Sequence, residues 1–154
     1  MLISMHVLDT TDRRILAALD SDSRATVHAL AAQLGLARGT VHARLERLQR
    51  SSALRPHSLR VDPLSLGWPL RARITAEVNQ DEFEHMIADL ERIPEITECF
   101  AVSGASDLAI EIVARDAEDV YRITQSIMKC RGVFRTATSI MLRELIARRQ
   151  HQLL

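Results

Sequence analysis

The stretch that most constrains this chain is residues 26–50, TVHALAAQLGLARGTVHARLERLQR, where two short amphipathic segments meet at one glycine. Leu30, Ala31 and Leu34 recur at helical spacing and give residues 27–34 one apolar stripe. Thr26 stands where its hydroxyl caps that helix. Leu34-Gly35-Leu36 then breaks it, because glycine takes the positive φ that such a corner needs. A second helix is expected over residues 37–50, with Val41, Leu45 and Leu48 as its inner stripe. Gly39, Thr40, Ala43 and Arg47 then lie away from the stripe, Arg38 falls in the first turn, and Arg44 and Arg50 flank the exposed face. Small residues at 39, 40 and 43 let a backbone come close to a groove while long arginines reach past them. This is how a helix meets the DNA major groove, bases first at its N-terminal turn. The competing reading is an ordinary amphipathic helix with a charged solvent face.

Charge separates these readings. The chain is formally neutral, but residues 1–66 hold nine Arg against six Asp and Glu, whereas residues 67–154 hold eleven Lys and Arg against fourteen acids. From Arg38 to Arg60 there are six arginines and one acid, Glu46. Positive charge gathers on the expected reading head and the segment behind it, and the acidic second half avoids phosphate.

At 154 residues and 47% apolar content, the chain holds one domain or two small ones. Its apolar runs fall far short of a membrane span, so no membrane partner is expected. Met1-Leu2-Ile3-Ser4-Met5 is too short for the apolar core of a secretory signal, and a cytoplasmic location is expected. Cys99 and Cys130 lack metal-ligand spacing and are expected to be buried packing thiols in a reducing compartment. No nucleophile elbow, phosphate-binding glycine loop, metal cluster or carboxylate pair is present, so neither a catalytic residue nor a cofactor is expected.

Upstream, Leu8-Asp9-Thr10-Thr11-Asp12 opens a first helix. Asp9 is placed to cap it, Asp12 adds negative charge to its first turn, and Ile15, Leu16 and Leu19 supply its buried side. Three helices are the usual minimum for such a unit to have its own core. Residues 54–61 are either a short strand or, given Pro56, an edge or irregular segment. Asp62-Pro63-Leu64-Ser65-Leu66-Gly67 is turn-rich and marks the expected boundary. The organisation expected is a DNA-binding domain over residues 1–53, a hinge or linker strand over 54–68 and a second domain over 69–154.

That second half changes period. Residues 71–78 alternate, with Ala72, Ile74, Ala76 and Val78 on one face and Arg71, Arg73, Thr75 and Glu77 on the other. Asn79 caps a helix whose stripe is Phe83, Met86, Ile87, Leu90 and Ile93, stopped by Pro94. Strands are expected over 96–103, 108–114 and 133–142, with a turn at Gly104-Ala105-Ser106-Asp107. Asp116 caps a further helix with Val120, Ile123 and Ile127 inward. The order βαββαβ is that of a ferredoxin-like sandwich, helices on one sheet face and the other face solvated or covered by a partner.

These pieces in this order resemble the Lrp/AsnC (feast/famine) family of transcription regulators. Leu8-Asp9-x-x-Asp12-x-x-Ile15-Leu16 resembles the family's opening helix, and Leu34-Gly35-Leu36 with Thr40-Val41-His42-x-Arg44-Leu45-x-x-Leu48 its reading head. Asp62 to Gly67 resembles the hinge, and Ile96-Thr97-Glu98-Cys99-Phe100-x-Val102-x-Gly104-x-x-Asp107 the effector-binding half, the RAM domain. The resemblance implies an α+β chain, an N-terminal three-helix winged helix-turn-helix followed by a C-terminal βαββαβ ferredoxin-like RAM domain. It implies a homodimer packed sheet to sheet, often assembled further into tetramers or octamers. It also implies a small-molecule effector, commonly an amino acid, held between RAM domains near the turn at Gly104, Ser106 and Asp107. Backbone N–H groups at Gly104 can hold a carboxylate and Asp107 an ammonium; the plain alternative is a hairpin turn with Asp107 bonding backbone. Thr136, Thr138 and Ser139 are weaker candidates that also fit a polar outer sheet face.

The chain departs from the family pattern in three places. Ala37 stands where a serine usually caps the recognition helix, Ser51-Ser52-Ala53 where a glycine usually follows it, and Ser106 where a bulky aromatic usually precedes the aspartate. The smaller Ser106 is expected to enlarge or open the effector pocket, so that the effector is either other than the usual amino acids or absent. The chain is thus expected to be a regulator of double-stranded DNA, with Arg38, Thr40 and Arg47 at base edges and Arg44, Arg50, Arg55 and Arg60 at phosphates. The alternative from another class is a tetrapyrrole (sirohaem-type) decarboxylase sharing this two-part fold. It is disfavoured because no histidine falls between His85 and His151.

Overall fold

A computed structural model describes residues 7–51 and 53–154. The expectations placed on residues 1–5 and on Ser52 lie outside them. The chain divides into two compact units, one of residues up to Arg60 together with Ile146–Leu154, the other Val61–Leu145.

The first unit is built on α1 (Thr10–Ser21), α2 (Val27–Leu34) and α3 (Arg38–Arg50). Asp9 caps α1 as expected and forms a reciprocal capping box with Asp12: each carboxylate accepts the other's backbone N–H. Thr26 accepts the Ala29 amide at the start of α2. Gly35, at φ 66°, turns the chain left-handed, and the Leu36 amide closes back on the Ala31 carbonyl at 3.0 Å. A side chain at position 35 would pay the left-handed penalty, so this residue sets the corner between α2 and α3. The core is Ile15, Ala18, Leu30, Ala31, Val41 and Leu48. Arg14 of α1 donates to the Leu34 carbonyl at the end of α2. Residues 54–61 hold no strand: the chain forms a 3₁₀ turn at His57–Arg60. Pro56, which has no N–H for a ladder, accepts from Leu59 through its carbonyl.

The second unit is a four-stranded antiparallel sheet, β1 (Leu70–Val78), β2 (Ile96–Ala101), β3 (Leu108–Ala114) and β4 (Val133–Ile140), ordered β2-β3-β1-β4. Helices α4 (Phe83–Leu90) and α5 (Ala117–Met128) cover one face. The alternation read in β1 is real: Ala72, Ile74, Ala76 and Val78 pack with Leu108, Ile110 and Ile112 against Met86, Leu90, Val120, Ile123 and Ile127. Asn79 caps a 3₁₀ turn, Gln80–Glu82, that leads into α4. α4 ends at Leu90, earlier than Pro94 suggested, because the Arg92 and Ile93 amides tighten onto Asp89 and Leu90. Cys130 is buried, but Cys99 is exposed on β2, contrary to expectation. β2 is an edge strand with a register shift between Ile96 and Glu98, so neighbours cover it from one side alone.

Candidate nucleic-acid interface

α3 begins with no side-chain cap. Ala37 has extended dihedrals and nothing to offer the first free amides, and there is no acid in the first turn. Arg38, Gly39 and Thr40 are all exposed at this end. Among the described residues no carboxylate lies within ion-pair distance of Arg38, which with Val27, Gly39 and His42 lines a shallow concavity. The presented end of α3 is therefore a cation beside small side chains.

Farther along, the geometry departs from the helical-wheel reading. Arg44 and Arg47 were expected to project from α3 into solvent; both bend back to α1. Arg44 Nη1 donates to Asp9 at 2.6 and 2.7 Å and to Asp12 Oδ1 at 2.9 Å. Arg47 Nη2 donates to both Asp12 oxygens, at 2.9 and 2.8 Å. Asp12 is fully buried, while the side chains of Arg44 and Arg47 keep 24% and 47% of their exposure. The cause is the buried carboxylate, which must be paired to remain charged. Hydrogen bonding from Arg44, with the Asp12 amide, holds Asp9 down at a pKa of about 2. Burial opposes ionisation of Asp12, but Arg44, the Asp9 amide and Arg47 outweigh it and keep that carboxyl below its ordinary range. The same contacts raise Arg44.

Sequence reasoning assigned Asp12 only a dipole role and missed this clasp. A signal existed: Asp9 and Asp12 are spaced i,i+3 on one side, Arg44 and Arg47 i,i+3 on the other. Arg50 is 78% exposed and donates to Glu46 at 2.7 Å, one turn back. Arg60 ends the 3₁₀ turn of residues 57–60 and is exposed; Arg55 is also exposed.

In the second unit, Asp107 ties the turn of residues 104–107 to β1. Its amide donates to the Ala76 carbonyl at 2.9 Å, and its Oδ2 accepts the Val78 amide at 2.8 Å. Ser106 is half-buried, and Gly104 is exposed. Thr136 pairs in register with the same Ala76 from the other side of β1, so it shares this end of the sheet with the turn. Thr138 pairs with Ile74, and its hydroxyl lies 3.2 Å from that of Thr124 on α5. Both threonines therefore share the face of Ile74 and Ala76, the helix side. Ala137 and Ser139 share the opposite face, with Thr75 and Arg73. The outer-face reading of the two threonines fails because the register with β1, not alternation alone, decides the side. Among the described residues no cluster of three or more His, Cys, Asp or Glu is arranged to hold a metal ion, and no helix is long and apolar enough to cross a membrane.

Comparison with known proteins fits both units. Residues 8–49 match the AsnC-type helix-turn-helix domain and residues 71–151 the Lrp/AsnC ligand binding domain. The chain is 31% identical over 142 residues to the HTH-type transcriptional regulator AldR of Mycolicibacterium smegmatis, covering 90% of this chain and 83% of that protein. Escherichia coli AsnC superposes with a TM-score of 0.83 at 25% identity, covering 95% of this chain and 99% of that one. A Neisseria meningitidis transcriptional regulator in complex with L-Met gives 0.79 at 25% identity, covering 96% and 100%. With a helix-turn-helix whose presented helix opens on an exposed arginine, a βαββαβ sandwich following it in the chain, and family matches over both, this chain belongs to the Lrp/AsnC family of DNA-binding transcription regulators.

Proposed function

We propose that α3 enters the major groove N-terminus first, with Arg38 and Thr40 at base edges and Arg50, Arg55 and Arg60 toward phosphates. The observation that carries this is Arg38: an exposed guanidinium with no carboxylate partner among the described residues, beside Gly39 and Thr40. A bidentate arginine–guanine contact is worth about 1–3 kcal/mol of discrimination, whereas a phosphate contact carries none. Arg47, expected at a base edge, is held by Asp12 as Arg44 is, so both serve mainly to fix α3 on α1. The test is binding to the chain's own promoter and to scrambled duplex. Arg38→Ala narrows the gap between the two by about 10-fold, and Arg60→Ala weakens both alike. Equal losses on both duplexes for Arg38→Ala would refute the assignment.

The effector reading rests on the turn of residues 104–107. Its exposed glycine offers backbone N–H groups to a carboxylate, Asp107 has a second oxygen beyond the one given to Val78, and Thr136 stands at the same end of the sheet. An amino acid fits that chemistry, and one structural relative is an L-Met complex. Thr138, engaged with Thr124 on α5, is the weakest member of the set. The sheet face opposite the helices carries Thr75, Ala109 and the half-exposed Phe100, a surface that a second copy would cover. The chain acts as a cytoplasmic homo-oligomeric regulator rather than an enzyme, a dimer assembling further, with the effector shifting assembly by its differential affinity for the two states. Light scattering with and without each amino acid tests this step; constant mass throughout would refute it.

A further inference from the structure

We infer that Asp9 and Asp12 act as an internal stand-in for phosphate, withholding the charge of Arg44 and Arg47 from the duplex and so suppressing sequence-independent binding. The inference rests on α3 being the DNA-facing helix. Four observations carry it. The two guanidinium groups and the two carboxylates balance to zero charge. Their contacts are short, from 2.6 to 2.9 Å. One carboxylate is fully buried and the other half-exposed. Both arginines lie on α3, between the exposed residues 38–40 and Arg50. A carboxylate pair presents oxygens to a guanidinium much as a phosphate does. A cation held this way releases no counterion when the helix meets DNA. Arg38, which has no such acid among the described residues, is left to read bases, so the clasp lowers background affinity and leaves base readout intact. Asp9 and Asp12 are positioning residues in this scheme; they do not touch DNA.

Asp9→Asn is the discriminating variant. Asparagine caps a helix as well as aspartate does, so α1 keeps its N-cap. The clasp, however, goes from neutral to a net positive charge. Affinity for a labelled random-sequence duplex is measured by fluorescence anisotropy over about 50 to 200 mM KCl. Asp9→Asn is expected to bind random duplex several-fold more tightly, with a salt dependence steeper by about 0.9, one phosphate contact. Adding Arg44→Gln to it returns both values to wild type, and Arg44→Gln alone leaves the wild-type slope unchanged. A loss of helix would weaken binding, not tighten it. An unchanged or weaker Asp9→Asn, or a slope that falls by one contact in Arg44→Gln alone, overturns the inference. Arg38→Gln is the control for the DNA-facing role of α3. If it lowers the slope while Asp9→Asn does nothing, only the clasp inference falls. If wild type shows no salt-dependent binding, both fall.

Discussion

Replacing Asp12 by alanine should unlock α1 from α3. In the folded chain the Asp12 carboxylate accepts Arg44 Nη1 at 2.9 Å, Arg47 Nη2 at 2.9 and 2.8 Å, and the Asp9 amide at 3.3 Å. It is the only fully buried acid among the described residues. A hydrogen bond to a charged group contributes about 1.5–3 kcal/mol, and breaking a buried ion pair costs about 3–5 kcal/mol. Both arginines keep part of their exposure and regain water when Asp12 is lost, so the cost should fall below that range, at about 2–3 kcal/mol. That is a large share of the roughly 5–15 kcal/mol that stabilises a domain. Asp12→Asn, which keeps one acceptor oxygen, should lose about half as much. The chain has two compact units, so one unfolding midpoint would mix them. Urea titration followed by amide hydrogen exchange separates them: protection should fall in Thr10–Ser21 and Arg38–Arg50 and hold in β1 and β3. If Asp12→Ala leaves exchange in α1 and α3 within about 0.5 kcal/mol of wild type, the clasp does not hold the helices together.

The acid response of the same cluster has a definite sign. Asp9 and Asp12 both have folded pKa values below their ordinary value, Asp9 at about 2, so their stabilisation is complete above the unfolded value and is lost as pH falls through about 4 toward about 2. Protection of α1 should therefore stay level from about pH 7 to pH 5 and drop below it, with a smaller drop in Asp9→Asn; an unchanged acid limb in that variant would contradict the assignment. Ala37→Ser supplies the missing cap of α3 and should raise the stability of the first unit by roughly 1 kcal/mol in urea titration. Gly132 sits at φ +78°, and an added Cβ would lie 2.8 Å from the Glu82 Cβ, so Gly132→Ala should destabilise the second unit by more than the roughly 1–2 kcal/mol of left-handed strain alone, read as a lowered thermal midpoint.

What could be read in advance follows from the range of the forces involved. Capping by Asp9, Thr26 and Asp116, the break at Gly35, and the limits of β3 depend on residues within one turn or one strand, and each stands where the chain pattern puts it. The clasp depends on two helices meeting, and arginine is long enough to leave the face that a helical wheel assigns to it. Thr136 and Thr138 depend on pairing with β1, where the register shift between Glu77 and Val78 intervenes. Cys99 depends on β2 having one neighbour and not two. In the candidate site, position along α3 was legible, but the partner of each arginine was not.

Local charge and local stability point the same way at the start of α3. The other long helices, α1 and α5, each begin with a capping aspartate and carry acids in the first turn. α3 begins with an alanine that caps nothing, no acid in its first turn, and Arg38 in the positive field of its own dipole. Each of these choices costs helix stability, and together they leave free amides and an exposed cation at the tip. The clasp compensates from one turn to three turns farther along, anchoring the body of the helix through Arg44 and Arg47 so that its first turn need not anchor itself. A helix stabilised at its middle and left unsatisfied at its tip is poised to complete its electrostatics on an anion. On the proposed docking of α3, that anion is the duplex.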